Sequence, residues 1–277
     1  MGTVRIPLPC SSFIEDCQAE ERRVGDLTGR RALIAGGTRG IGAAIAEQLT
    51  DAGARVVVSA RRRGDGNQAG HFIAADLFTP QGPSQLVADA LAHLGEIDVL
   101  VDNAASQTRV PNGVLAMTDD DWLADLNGSL MSAVRLDRAV LPGMIAAGGG
   151  VIVHIGSGAA RLPQPTALAY AAAKAALAAY SKGLANEVGR HNVRVNLVSP
   201  GVIETSALRA RLQSLADESG TDLETARDQF LRNFPVPLGR LGTADDVASL
   251  VRFLVSPAAS YLTGTDHVID GGLLPTL

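Results

Sequence analysis

From Asp26 to its end, the chain alternates short apolar runs with longer stretches of helical periodicity, and no Pro/Gly/Ser linker, repeat or low-complexity tract interrupts them. A strand that is apolar on both sides has to be covered on both faces, and parallel strands are joined by crossover helices that supply this cover. The alternation therefore predicts a single α/β domain over 26–277, a doubly wound three-layer sandwich around a seven-stranded parallel sheet. Strands are placed at Arg31–Ala35, Arg55–Ala60, Phe72–Ala74, Ile97–Val101, Val151–Ile155, Val193–Val198 and His267–Ile269, with helices at roughly 41–52, 82–94, 119–147, 166–189, 205–232 and 244–255. Between the second and third strands, Gly64, Gly66 and Gly70 reduce the expected helix to one turn or none.

Composition agrees with a single domain of generous core. The 277 residues are 46% hydrophobic and 19% charged, which excludes a disordered or collagen-like chain. No window approaches the roughly 18 uncharged apolar residues of a membrane-spanning helix. A formal charge of -5 gives no overall basic attraction for nucleic acid or anionic lipid, so neither partner is expected. The two cysteines, Cys10 and Cys17, build no disulfide framework and are too few for a cysteine zinc site, which points to a reducing, cytoplasmic compartment. Residues 1–25 do not read as a secretory signal, because Pro7 and Pro9 interrupt the apolar stretch and Glu15, Asp16, Glu20 and Glu21 follow. They are expected to be a poorly ordered or surface-docked extension, with partner binding as the alternative.

The segment Ala32-Leu-Ile-Ala-Gly-Gly-Thr-Arg-Gly-Ile-Gly42 is an apolar strand, a glycine-rich turn and the start of a helix. Gly36, Gly40 and Gly42, with Thr38 and Ile41 between them, let the backbone turn sharply and approach a pyrophosphate, whose charge the free amides and the helix dipole would hold. Glycines at such a turn also serve tight packing alone. An NAD(H) reader of this Rossmann type places an acidic residue at the end of the second strand; here Val58-Ser59-Ala60 runs into Arg61, Arg62 and Arg63, with Arg39 inside the glycine turn. Arginines there suit a 2′-phosphate, so NADP(H) is expected over NAD(H), the alternative being an exposed arginine turn without a ligand. Asp76, followed by Leu77 just beyond the third strand, is placed to accept from an adenine amino group, or else caps a helix.

Tyr170 and Lys174 share one face of an alanine-rich helix. Lowering a phenol pKa by about three units takes roughly 4 kcal/mol, about what one ammonium at about 4 Å supplies at an effective dielectric near 20. A Tyr and a Lys four residues apart are also common as plain structure. In the order of the chain, however, Gly36, Gly40 and Gly42, then Asp102-Asn103-Ala104-Ala105, Asn127, Ser157 thirteen residues before Tyr170, the Tyr170/Lys174 pair, Pro200-Gly-Val-Ile-Glu-Thr205 and Asp270-Gly-Gly272 form a set that resembles the short-chain dehydrogenase/reductase family from about Asp26 to Gly272.

The resemblance implies that Tyr170 passes a proton to or from a substrate oxygen while the nicotinamide gives or takes hydride. It implies that Ser157 holds that oxygen, that Lys174 lowers the Tyr170 pKa and bonds the nicotinamide ribose, and that Asn127 positions a water linking Lys174 to solvent. Asn103, Ala104, Pro200, Gly201, Ile203 and Thr205 would line the cofactor cleft, and a homo-oligomer, dimer or tetramer, is implied as well. The chain departs from the family pattern at Ala35, Asp102, Ala105, His154 and Gly156. Loss of a Thr at position 35 puts cofactor affinity in question, and Gly156 is expected to leave extra room beside Ser157.

The five histidines show no short metal-ligand spacing, and Asp119-Asp120-Asp121 reads as a helix cap, so no metal is expected. Residues 204–238 carry Leu208, Leu212, Leu215, Phe230, Leu231 and Phe234 among charges, either an amphipathic lid over a mostly apolar substrate or a helix whose apolar residues merely dock it on the core. The expected activity is an NADP(H)-dependent exchange between a small ketone and a secondary alcohol. A cyclase, epimerase or lyase on the same fold and a non-catalytic NADP(H)-binding regulator are the alternatives.

Overall fold

The computed structural model describes residues 25–64 and 69–275; the arm 1–24, and with it Cys10 and Cys17, lies outside the described residues. Seven strands, β1 (Arg31–Ala35), β2 (Arg55–Ala60), β3 (His71–Ala74), β4 (Val99–Asp102), β5 (Gly150–Ile155), β6 (Val193–Pro200) and β7 (Asp266–Ile269), form one sheet in the order β3-β2-β1-β4-β5-β6-β7. Every pairing is parallel. All the carboxyl ends therefore lie along one edge, and the order reverses between β1 and β4, where a doubly wound sheet opens a crevice.

Period-two alternation sorts each strand between two cores. Ala32 and Ile34 of β1 face one side with Val99 and Val101 of β4 and Val151 and Val153 of β5, under α1 (Gly40–Asp51) and α8 (Ala244–Val255). Leu33, Leu100 and Ile152 face the other side, under α2 (Gly82–Leu94), α4 (Ser132–Ala146) and α5 (Leu168–Val188). The register pairs Asp102 with His154, which puts both on this second side at the carboxyl end.

Two predicted helices are broken. The stretch 119–147 divides into α3 (Asp119–Leu126), a π turn over Asn127–Met131, and α4. The stretch 205–232 divides into α6 (Ser206–Ser219) and α7 (Leu223–Asn233), because Gly220 stops α6 in the left-handed conformation (φ 64°) and the Asp222 carboxylate caps the amide of Thr225 at 2.7 Å to start α7. Leu212 and Phe230 join these two helices into a small core of their own with Leu241, while Leu208, Phe230 and Phe234 line the neighbouring cleft. The acidic run is a cap as expected: Thr118 and Asp121 form a reciprocal capping box at the start of α3. Residues 61–64 and 69–70 contain no helix. Among the described residues no helix is long and apolar enough to cross a membrane, and no three His, Cys, Asp or Glu gather as a metal site.

Ile152 is fully buried in the central strand β5. Ile152→Ala is expected to cost about 2–5 kcal/mol, read as a lower denaturant midpoint, whereas Leu115→Ala should stay within about 0.5 kcal/mol, because Leu115 is 98% exposed.

Candidate active site

The crevice begins at the β1–α1 turn. Gly36 (φ 74°) and Gly40 (φ 53°) adopt a backbone that other residues rarely enter, and a Cβ on Gly42 would lie 2.1 Å from the Gly36 carbonyl oxygen. Asn103, just after β4, donates to that carbonyl through its amide nitrogen at 2.9 Å. The first turn of α1 carries no acidic residue and Arg39 supplies no side-chain cap, which leaves its amides free toward the crevice. Thr38, Arg39, Gly40, Ile41, Arg61, Asp76, Leu77, Asn103, Ala104 and Thr205 line a cavity of about 290 Å³ here. Arg61 lies over the Phe78 ring at 5.6 Å, and Asp76 accepts from the Phe78 amide at 3.1 Å while staying exposed. A turn of crowded glycines, open helix amides and two arginines at one rim match a dinucleotide bearing a 2′-phosphate.

Ile41, Asn103, Ala105, Thr205 and Ala207 also line a second cavity of about 550 Å³, so the two form one continuous cleft. Ser157 at the end of β5, Tyr170 and Lys174 on the first turns of α5, and Pro200, Gly201 and Ile203 after β6 meet there. Thr205 caps α6, and its methyl group stands 3.4 Å from where a Cβ on Gly40 would be, so it borders both halves of the cleft. Burial pushes the Tyr170 phenol above its ordinary pKa, while the neighbouring Ser157 hydroxyl and the Arg109 charge pull it back.

Lys174 differs from expectation. Its ammonium donates to the Ile155 carbonyl at 2.7 Å and lies 5.9 Å from the centre of the Tyr170 ring, and it is not among the groups that shift the phenol. An ammonium this deeply buried needs an acceptor, and the end of β5 supplies it. Burial lowers the Lys174 pKa to about 8 despite the opposing charge of Asp102.

Asn127 also departs from its expected role. It opens the π turn, donates its amide to the Phe78 carbonyl, accepts from Arg135 at 2.7 Å, and lies along a surface hollow with Leu123 and Met131 rather than in the Tyr170 cleft. Its side-chain amide is thus engaged by the Phe78 carbonyl and by Arg135. From the same turn, buried Ser129 reaches the loop after β4, donating to the Ser106 carbonyl at 2.9 Å. Gly156 lines the cleft beside Ser157, and a Cβ there would stand 2.9 Å from the Ser199 hydroxyl and 3.1 Å from Leu197, so the glycine accommodates these neighbours.

Behind Lys174, the family departures Asp102 and His154 share a buried cluster with Asp137 of α4 and Tyr180 of α5. His154 Nε2 is 3.1 Å from Asp137 Oδ2, which also accepts from the Tyr180 hydroxyl at 2.9 Å. Burial pushes Asp102 up to about 6, against the pull of His154 and Lys174. For His154, burial opposes the charged ring, but the charge and hydrogen bond of Asp137 outweigh it and raise its pKa. Nothing in the local pattern around Asp137 or Tyr180 marks them, since their meeting depends on two helices crossing one sheet face. Arg109 and Gln107 in the loop after β4 and Leu274 near the chain end also line the cleft without a motif to announce them.

Residues 35–274 match the family described as enoyl-(acyl carrier protein) reductase. A 3-oxoacyl-(acyl-carrier-protein) reductase of Salmonella typhimurium is 36% identical over 252 residues, covering 88% of this chain and 97% of that protein. The enzyme of the same name from Pseudomonas aeruginosa is 35% identical over 257 residues, covering 89% and 98%. The structure of L-sorbose reductase from Gluconobacter frateurii complexed with NADPH and L-sorbose superimposes with a TM-score of 0.85 at 32% identity, covering 92% of this chain and all of that one. Aldohexose dehydrogenase of Thermoplasma acidophilum gives 0.82 at 28% identity, covering 92% and 97%.

Lys174 changes ionisation near pH 8 in the folded apoprotein but near its ordinary 10.5 when unfolded. Below 8 both states hold the proton and the burial penalty is complete; between 8 and 10.5 only the unfolded chain binds it, so this group makes the protein more stable as pH rises. Melting temperatures across about pH 7–10.5 should climb for wild type relative to Lys174→Met. Parallel curves would show that the amine does not titrate in this window.

Proposed function

The chain belongs to the short-chain dehydrogenase/reductase family and is an oxidoreductase of that type, and we propose that it is an NADP(H)-dependent reductase of a small ketone, or the dehydrogenase of the corresponding secondary alcohol. The observation that carries this reading is the convergence of Ser157, Tyr170 and Lys174 on one cavity continuous with the glycine-turn crevice. When bound, NADPH supplies the hydride that the carbonyl carbon takes up. Tyr170 gives its phenolic proton to the carbonyl oxygen, and Ser157 holds that oxygen in place. Lys174 offers its remaining donors to the nicotinamide ribose, and the walls from Asn103 and Ala104 to Pro200, Gly201, Ile203 and Thr205 position the ring.

At the other end, Gly36, Thr38, Gly40, Ile41 and Gly42 hold the pyrophosphate, while Asp76 and Leu77 flank the adenine. The preference for NADP(H) rests on Arg39 and Arg61 at the rim where Ala60 leaves no carboxylate to bond a ribose hydroxyl. It is supported by the NADPH carried in the L-sorbose reductase structure. A homo-oligomer, dimer or tetramer, is part of the same proposal, and the hollow lined by Leu123, Leu130 and Met131, with Leu123 62% exposed, suits such a contact.

Tyr170→Phe should cut turnover by at least about a hundredfold with NADPH binding retained, since only the shuttled proton is removed. A variant of equal activity would take the proton transfer away from Tyr170. Arg61→Asp should weaken NADPH binding far more than NADH binding, by about tenfold or more in Kd ratio, and an unchanged ratio would move the phosphate contact elsewhere.

A further inference from the structure

The substrate end of the cleft is lined by cations and by no carboxylate. Arg109 enters from the loop after β4 and Arg211 from α6, into the same cavity as Ser157 and Tyr170, and among the described residues that line it there is neither Asp nor Glu. Arg31, Arg161, Arg227 and Arg240 each hold a carboxylate on this protein, yet among the described residues neither Arg109 nor Arg211 does. Asp125 is buried with its oxygens taken by the amide and hydroxyl of Thr108, and its charge raises the Tyr170 phenol pKa where Arg109 lowers it.

The two guanidiniums act on each other. Partial loss of water is the main reason the Arg109 pKa falls below its usual range; the positive charge of Arg211 adds to the fall, and the Tyr170 phenol opposes it. Both side chains are exposed and line one cavity; two like charges on one wall repel until an anion enters between them, and a planar guanidinium pairs best with a carboxylate, through two parallel hydrogen bonds. Around them Leu208, Phe234 and Leu274 offer apolar surface.

We propose that the preferred substrate is a keto acid, or the matching hydroxy acid, whose carboxylate lies between Arg109 and Arg211 while its apolar body rests on Leu208 and Phe234. This rests on the reductase reading above and replaces the expectation of a mostly apolar substrate with an amphipathic one. The reaction is unchanged in balance: hydride from NADPH forms the new C–H bond, the carbonyl π pair goes to oxygen, and Tyr170 supplies the proton there. The carboxylate takes no part beyond fixing which end of the molecule reaches Tyr170.

The test compares an aryl keto acid with its methyl ester in wild type, Arg109→Gln, Arg211→Gln and the double variant, all with NADPH, alongside calorimetric binding of both compounds to the NADP⁺-loaded protein. Wild type should favour the acid by at least about tenfold in kcat/KM, mainly through KM, and the acid/ester ratio should fall to within about threefold of unity in the double variant. No preference in wild type, or a preference that survives in the double variant, overturns the subsite. The calorimetric arm separates the two readings: arginine-dependent binding of the acid with no reduction of any carbonyl keeps the subsite and sinks the reductase, whereas equal reduction and equal binding of acid and ester keeps the reductase and sinks the subsite.

Discussion

An ammonium taken out of water needs a hydrogen-bond acceptor and a compensating charge, and the way Lys174 meets these needs ties the catalytic helix to the sheet. Its bond to the Ile155 carbonyl fixes α5 against the end of β5, and Asp102 at the end of β4 provides the opposite charge. Because β4 and β5 are parallel and in register, these two ends lie side by side, and Ser157 follows two residues after Ile155 at the same edge. A shift of α5 along the sheet would leave the ammonium without its acceptor, so the placement of Tyr170 on the preceding turn follows from the burial of its neighbour.

Behind this edge, Asp102 and His154 form a cluster of titratable groups with Asp137 and Tyr180. Within the cluster the protonation of each buried group depends on the others, since His154 lowers the Asp102 pKa and Asp102 raises that of His154. One oxygen of Asp137 and Nδ1 of His154 have no hydrogen-bond partner among the described residues, which is costly in a packed interior. The strand register that brings these side chains together is the same one that packs Leu100 and Ile152, so the cluster continues the apolar core up to the cleft.

The sheet was legible because its signal is local: Ala32 to Ala35 and Val56 to Val58 are apolar on both faces and can only be central strands. The turn at Gly36–Gly42 was equally open to reading, since its geometry demands residues without a Cβ. The breaks at Asn127 and Gly220 were not placed, because both lie inside long periodic patterns; the Gly220-Thr-Asp222 stop-and-start signal was present and outweighed by the apolar spacing around it. The spacing of Tyr170 and Lys174 marks them as a pair, but where the ammonium points depends on a carbonyl nineteen residues away in β5. Arg109 and Asp137 carry no local mark at all, and their roles exist only once loops and helices converge in space.

The separate core that Leu212, Phe230 and Leu241 make for α6 and α7 has a kinetic side. A unit that buries its apolar surface mostly within itself can detach without disturbing the strands beneath, so its backbone amides should exchange with solvent at a rate set by this small cluster and not by global unfolding. Arg211 rides on that unit while Arg109 belongs to the loop after β4. A displacement of that unit would change the distance between the two guanidiniums.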